Sequence, residues 1–354
     1  MPSASIDTFL ACSVMITLVL SAMVGTSKFV TPYLNDISHR NDAERLQQLT
    51  SHLLLHTGTP GNWGQSRITV PAIFGLAKTG SSIPYELDID KVTRLNSANI
   101  YSLSYSDLWE AFGIRDVALR IEIKTLFDLS ISPSSNSTLG NQTIYTFDVT
   151  TEKSGMPIAA NLTGYIVLEE YVGKTSSSTS PGGAGVMSVS IPNTVNGAAL
   201  LMVFAQAKAN PHIVSFDAYA FGHQSTTPLP NGTFTKLSPL NHVLNASFFH
   251  STVQVSKAEV FTFNYNFSLT LKAQGVQTTE YSVPHLLDPS PIIMVLTGTD
   301  GSTSFAEWVS YPQLPLQMGA DFNESNGGTA VTQDYVVTIN SAMYEAIVTF
   351  GGTV

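Results

Sequence analysis

Between Thr8 and Ser27 the chain carries no charged residue, and residues 9–24 are dominated by Leu, Val, Met, Ile and Ala. About 20 residues rising about 1.5 Å each cross a hydrocarbon core of about 30 Å. A cleavable secretory signal needs a basic leader and a shorter apolar stretch, whereas residues 1–7, Met-Pro-Ser-Ala-Ser-Ile-Asp, hold no Lys or Arg. The run therefore predicts a membrane-spanning helix. Helical spacing persists beyond it at Val30, Tyr33, Leu34 and Ile37, then at Leu46, Leu49 and Leu53. Pro32 predicts a kink, and residues 57–61, Thr-Gly-Thr-Pro-Gly, predict a stop. Residues 1–57 thus form one long helix, membrane-embedded in its first half and amphipathic in its second.

The remainder of the chain has a different character. Only 12% of the 354 residues are charged, about half the usual share, and Ser, Thr, Asn, Gly and Pro replace them. That mix favours strands and turns. The net charge is −10 with 16 scattered Lys and Arg, so no basic stripe exists and nucleic acid is excluded as a partner. Cys12 is the single cysteine, which excludes an intrachain disulfide.

Residues 58–130 read as a small α+β unit. Within it, residues 105–113 suggest a short helix capped by Ser106 and Gly113. Residues 116–124 alternate Val117, Leu119, Ile121 and Ile123 against polar or small neighbours, a strand with one buried face. Residues 131–140 have linker composition. From 141 to 222 the two-residue period takes over, with Tyr145, Phe147 and Val149 on one face, further strands at 163–172, 186–191, 198–207 and 213–221, and a flexible loop at 175–183. The spacing fits a sandwich of antiparallel sheets. Residues 223–354 form a second β-domain whose clearest strand is 261–271, with Phe261, Phe263, Tyr265, Phe267, Leu269 and Leu271 on one face. Strands at 292–296 and 335–339 come next, with Trp308 as a core anchor between them. The expected fold class is α+β, mostly β: a long membrane-spanning then amphipathic helix, a small α+β unit and two Ig-like β-sandwich domains.

A long N-terminal helix carrying a β-domain resembles the type IV pilins and pseudopilins. Ile6-Asp7 before the apolar run resembles the Ile-Glu that opens the mature pilin helix, where the acid pairs with the terminal amine of a neighbouring subunit. Residues 58–64, Gly-Thr-Pro-Gly-Asn-Trp-Gly, are similar to a Gly-x-Pro-x-x-Trp element of archaeal pilin-like surface proteins. Residues 74–77, Phe-Gly-Leu-Ala, and 85–95, Tyr-Glu-Leu-Asp-Ile-Asp-Lys-Val-Thr-Arg-Leu, also look like those proteins. The chain departs from the family in having nothing basic before Ile6, where the family's peptidase cuts. Residues 154–161 resemble a turn of bacterial and archaeal Ig-like surface repeats. The resemblance implies an archaeal cell-surface protein, anchored in the membrane and associated with itself or other pilin-like subunits through its helix.

Chemistry is sparsely signalled. His52 and His56 stand four apart, a zinc-compatible spacing, but the intervening leucines supply no acid and no third ligand offers itself. Asp88, Asp90 and Asp300 fit solvated turns better than calcium loops. No nucleophile elbow, P-loop or dinucleotide fingerprint occurs, so no catalytic, metal or cofactor-binding residue is expected. Trp63 and Trp109 read as core anchors. Seven Asn-x-Ser/Thr sequons, at Asn136, Asn141, Asn161, Asn231, Asn245, Asn266 and Asn323, are candidate glycosylation sites, and none lies in the first 130 residues. Lys28, Arg40 and Arg45 after the apolar run argue for a cytoplasmic C-terminal part. The polar, strand-rich remainder argues for an exterior one, and long domains translocate despite a few flanking charges. The expected function is a membrane-anchored extracellular protein, structural or adhesive; the alternative is a monomeric anchored ligand-binding or receptor module.

Overall fold

The computed structural model describes Met15, Met23 and residues 43–114, 116–286, 288–322 and 330–351. The chain divides into two compact units, Met1–Ser51 and His52–Val354. Residues 43–55 are helical (α1). The helix ends where the Thr-Gly-Thr-Pro-Gly stop predicts, with Gly58 at φ +74° and its N–H donating to His56 Nδ1 at 2.9 Å. The predicted membrane span falls outside the described residues apart from Met15 and Met23, and among the described residues no helix is long and apolar enough to cross a membrane.

The rest is mostly β. A 3-10 turn at Trp63–Gln65 precedes β1 (Glu86–Leu87), α2 (Ile89–Thr93), α3 (Tyr105–Phe112) and β2 (Ala118–Thr125). Next come β3 (Asp128–Leu139), β4 (Gln142–Lys153), β5 (Met156–Pro157), β6 (Ala160–Val167), β7 (Val172–Ser178), β8 (Ala184–Pro192), β9 (Gly197–Ala207) and β10 (Val214–His223). They are followed by β11 (Thr235–Leu240), β12 (Val243–Phe248), β13 (Val253–Phe261), β14 (Asn266–Ser268), β15 (Thr270–Gln274), β16 (Thr278–Ser282), β17 (Ile292–Asp300) and β18 (Thr303–Tyr311). The last strands are β19 (Leu316–Gly319), β20 (Val331–Ile339) and β21 (Ala342–Gly351).

Four sheets stack face to face. One is β3-β4-β8 with β5 on the edge of β4; it packs on β10-β9-β6-β7 through Phe147, Val149, Met187, Leu162, Leu201 and Val203. A second pair, β11-β12-β16-β15 and β14-β13-β17-β18, packs through Leu244, Ala246, Val260, Met294 and Leu296. The inner sheets of the two pairs then meet, Tyr165, Leu200, Met202 and Phe204 against Phe261, Ile293 and Val295. This explains the continuous apolar runs at 198–205 and 292–296. In β9, Ala199, Leu201 and Val203 serve one core while Leu200, Met202 and Phe204 serve the other; in β17 the alternation repeats. Strands buried on both faces lose the polar half of the two-residue pattern.

Several boundaries differ from the sequence reading. Residues 131–140 are not a linker but most of β3 and its turn, paired with β4 from Asp128↔Glu152 to Leu139↔Gln142. Their polarity reflects exposure of residues 132–140, and the bulge between Pro133 and Ser135 suits an edge strand. The first four residues of the expected loop, 175–178, are the end of β7, paired with β6, and only 179–183 connect it to β8. The supposed strand 261–271 is broken: β13 ends at Phe261, and Thr262 N–H donates to the Tyr265 carbonyl at 2.8 Å. Asn264 donates to Asp288 from its backbone at 3.1 Å and its amide at 2.8 Å, holding the turn. Phe261 and Leu269 are buried, in different cores, but Tyr265, Phe267 and Leu271 are 55%, 45% and 54% exposed, so the alternation does not mark one buried face.

The second β-domain also stops short of residue 354. Its last three strands return to the α+β unit and form the mixed sheet β1-β20-β21-β2-β19, parallel at β1–β20. β2 is paired on both edges, by β19 and β21, and its Leu119, Ile121 and Ile123 face is buried. Finally, Ser104 rather than Ser106 caps α3. Its hydroxyl accepts from Asp107 N–H at 3.1 Å in a complete capping box, and Gly113 closes the helix at φ +72° as expected.

Candidate functional site

The three segments that carry the family resemblance, 58–64, 74–77 and 85–95, close on one another. Trp63 is fully buried, and its indole N–H donates to the Gly75 carbonyl at 3.1 Å. A Cβ on Gly75 would sit 2.3 Å from the His56 carbonyl oxygen, and one on Gly64 2.6 Å from Lys91 Cγ. Both glycines are therefore required by close approach. Asp88 caps α2, accepting from Asp90 N–H at 3.0 Å and Lys91 N–H at 3.1 Å. Lys91 is buried and donates from Nζ to the carbonyls of Thr57 at 2.8 Å and Ala77 at 2.7 Å. Burial pushes its ammonium down to about 8. Arg94 donates to the carbonyls of Tyr101, Trp63 and Thr69 and lies over the Trp63 ring at 5.6 Å. Two cations thus hold four loops by their carbonyl oxygens.

The same helix reaches the second pair of sheets. Asp90, 3% exposed, accepts from the Tyr311 hydroxyl at 2.6 Å and from Asn241 N–H at 2.7 Å. Burial is the main cause that lifts its carboxyl to about 6, and it also raises Tyr311 well above its ordinary value. The His242 ring meets the Tyr311 ring edge-on and lies tilted against His285 with centroids 3.6 Å apart. Burial, then the neighbouring His285, pushes His242 down to about 4. Nearby, the Asn99 amide donates to the Pro239 carbonyl and Gln313 Oε1, Ile100 N–H donates to Ser238 Oγ, and the Asn96 amide donates to the Gln313 carbonyl. Asp88 and Asp90 are therefore neither calcium ligands nor members of a solvated turn. Asp88 caps α2, and Asp90 fixes the α+β unit to the β11–β12 turn and the end of β18.

The other expected residues are dispersed. Asn136, Asn141, Asn161, Asn231 and Asn266 are exposed, whereas Asn245 is buried in β12. The Asn231 amide already bonds both main-chain groups of Trp308. Ile6, Asp7 and Asn323 lie outside the described residues. His52 and His56 stack at 4.7 Å, and His56 closes the end of α1. Among the described residues no three potential ligands come together around a metal position. Asp300 binds Thr252 and His250 at a hairpin end. Trp109 lies tilted against Tyr105 on α3, ring centroids 5.9 Å apart.

One concavity went unread in the sequence. A groove of about 780 Å³ is lined by Leu126, Phe127, Ile158, Ile213, Val336 and Met343, together with Lys153 and Lys208. Its residues come from widely separated segments, so no local pattern announces it. The Asp88–Arg94 cluster had a readable signal: four charges within seven residues of a charge-poor chain.

No known protein family matches the sequence, and no curated protein matches it. Among solved structures, HBP35 of Porphyromonas gingivalis aligns at 12% identity with a TM-score of 0.21, covering 54% of this chain and 64% of that one. The aligned part is thus less than two thirds of that protein, and a likeness this slight carries no argument about fold or function.

Proposed function

We propose that the chain is a membrane-anchored protein of the cell exterior, pilin-like in plan, whose N-terminal helix carries stacked, Ig-like β-layers in a structural or adhesive role. The observation that carries this reading is the convergence of segments 58–64, 74–77 and 85–95 into one buried platform. That platform begins where α1 ends and bonds to the β-layers through Asp90, Asn96 and Asn99. A protein that transmits position from a helix to a distant surface needs such a joint. Four exposed sequons, at Asn136, Asn141, Asn161 and Asn266, and the hydroxyl-rich exposed strand β3 support an outward-facing, glycosylated surface.

In this reading Ile6 and Asp7 open the anchoring helix, and Asp7 pairs with a neighbouring subunit. An acid beside an apolar helix is satisfied by interfacial water or by a cationic partner once helices bundle. Asp7→Asn should leave membrane abundance unchanged and reduce recovery in sheared surface filaments. Recovery of wild type and variant solely as dispersed membrane protein would remove the assembly role. A second reading, an anchored ligand-binding module, is favoured by the apolar groove with its two lysines.

A further inference from the structure

The groove between residues 126–127, 157–159, 207–213 and the β20–β21 hairpin shares no residue with the platform. Its volume, about 780 Å³, lies in the range of small-molecule sites, about 300–1,000 Å³. Phe127 is buried and extends the first sandwich core, while Val336 is 57% exposed and Met343 offers a thioether chain able to follow an irregular guest. The lining is aliphatic and extended, and its charged members are two lysines with no acid. Lys153 is neutralised by Glu345 at 3.0 Å. Lys208 is exposed and donates to the Thr179 carbonyl at 3.0 Å. Among the described residues no carboxylate lies within ion-pair distance of it.

An apolar trough carrying an uncompensated cation complements a guest with one alkyl chain and one anionic head. We propose that the groove binds a free long-chain carboxylate, its head on Lys208 Nζ and its chain along Phe127, Ile158, Ile213, Val336 and Met343. The inference does not depend on anchoring or filament formation.

The test uses the purified full chain and hexadecanoic acid bearing a mid-chain diazirine. Photolabelling should fall on peptides covering 207–213 and 336–343. Unlabelled hexadecanoate should compete about tenfold better than hexadecanol, since only the acid meets the lysine. Each methylene removed from the competitor should weaken it by up to about fourfold. Lys208→Glu should cut labelling about tenfold and Lys208→Arg should keep it. Ala159→Trp, which fills the trough, should abolish it, with Met343→Trp as a second filling variant and thermal melting to verify that each folds. The proposal is overturned by labelling indifferent to Lys208→Glu and to both filling variants, by equal competition from hexadecanol, by label spread over exposed apolar residues such as Ile68 and Val276, or by a co-purifying polypeptide crosslinked in the groove.

Discussion

Two junctions hold the β-layers of the second unit, and they are built from opposite materials. At the seam between the inner sheets, Tyr165, Leu200, Met202 and Phe204 face Phe261, Ile293 and Val295, a non-directional contact driven by area removed from water. At the joint around α2, Asp90, Tyr311, Asn241, Asn99 and Gln313 meet through hydrogen bonds in the interior. A buried polar group without its partner is costly, so the joint tolerates a single alignment. The seam supplies adhesion between layers; the joint supplies register.

The difference is sharpest under mutation. Phe261→Ala should lower unfolding stability by about 3–5 kcal/mol, by the same amount at pH 5 and pH 8, as read from urea midpoints. A loss that varied strongly with pH would show that the seam is not the apolar contact described. Asp90→Ala strands the Tyr311 hydroxyl and the Asn241 N–H and should cost about 2–4 kcal/mol. Asp90→Asn keeps an oxygen for both donors and should cost far less.

The joint should also titrate, with opposing signs. Asp90 sits at about 6, above its ordinary 3.8. Its contribution is therefore complete below the ordinary value and lost as pH rises through 6. His242 sits at about 4, below 6.5, so its contribution is complete above 6.5 and lost as pH falls towards 4. Wild type should change little across that window. Asp90→Asn should leave a protein that weakens on acidification, and His242→Asn one that strengthens; equal slopes in both variants would refute the assignment. Lys91, at about 8 against 10.5, should make stability rise between those values, and Lys91→Met should remove the rise. The smallest effect belongs to neither junction: Ser104→Ala should cost about 1 kcal/mol and Ser106→Ala almost nothing.

Legibility followed the same divide. The seam was readable as apolar runs in β9 and β17, and the alternation of β2 gave its buried face, because burial writes itself into local sequence. What β2 pairs with was not readable, since β19 and β21 lie about two hundred residues away in the chain and nothing local names a partner. Residues 261–271 show the converse: alternation is a permission for a strand, and Asp288 binding Asn264 turned the chain aside. At the joint, segments 58–64, 74–77 and 85–95 stood out as motifs, yet Asp88 and Asp90 looked like surface turn residues. The partners of Asp90, Asn241 and Tyr311, come from another part of the chain. The groove left no sequence trace because its lining is assembled only by the fold.

The central claim, that a helix anchors these layers on the outside of the cell, is tested most directly by topology. Intact cells should be treated with a membrane-impermeant amine reagent, and the exposed lysines Lys208 and Lys272 followed by peptide mapping. The account predicts that both are modified before lysis, as fully as in lysed cells. Modification of these lysines only after lysis, with a known exterior protein labelled in the same intact sample, would contradict it.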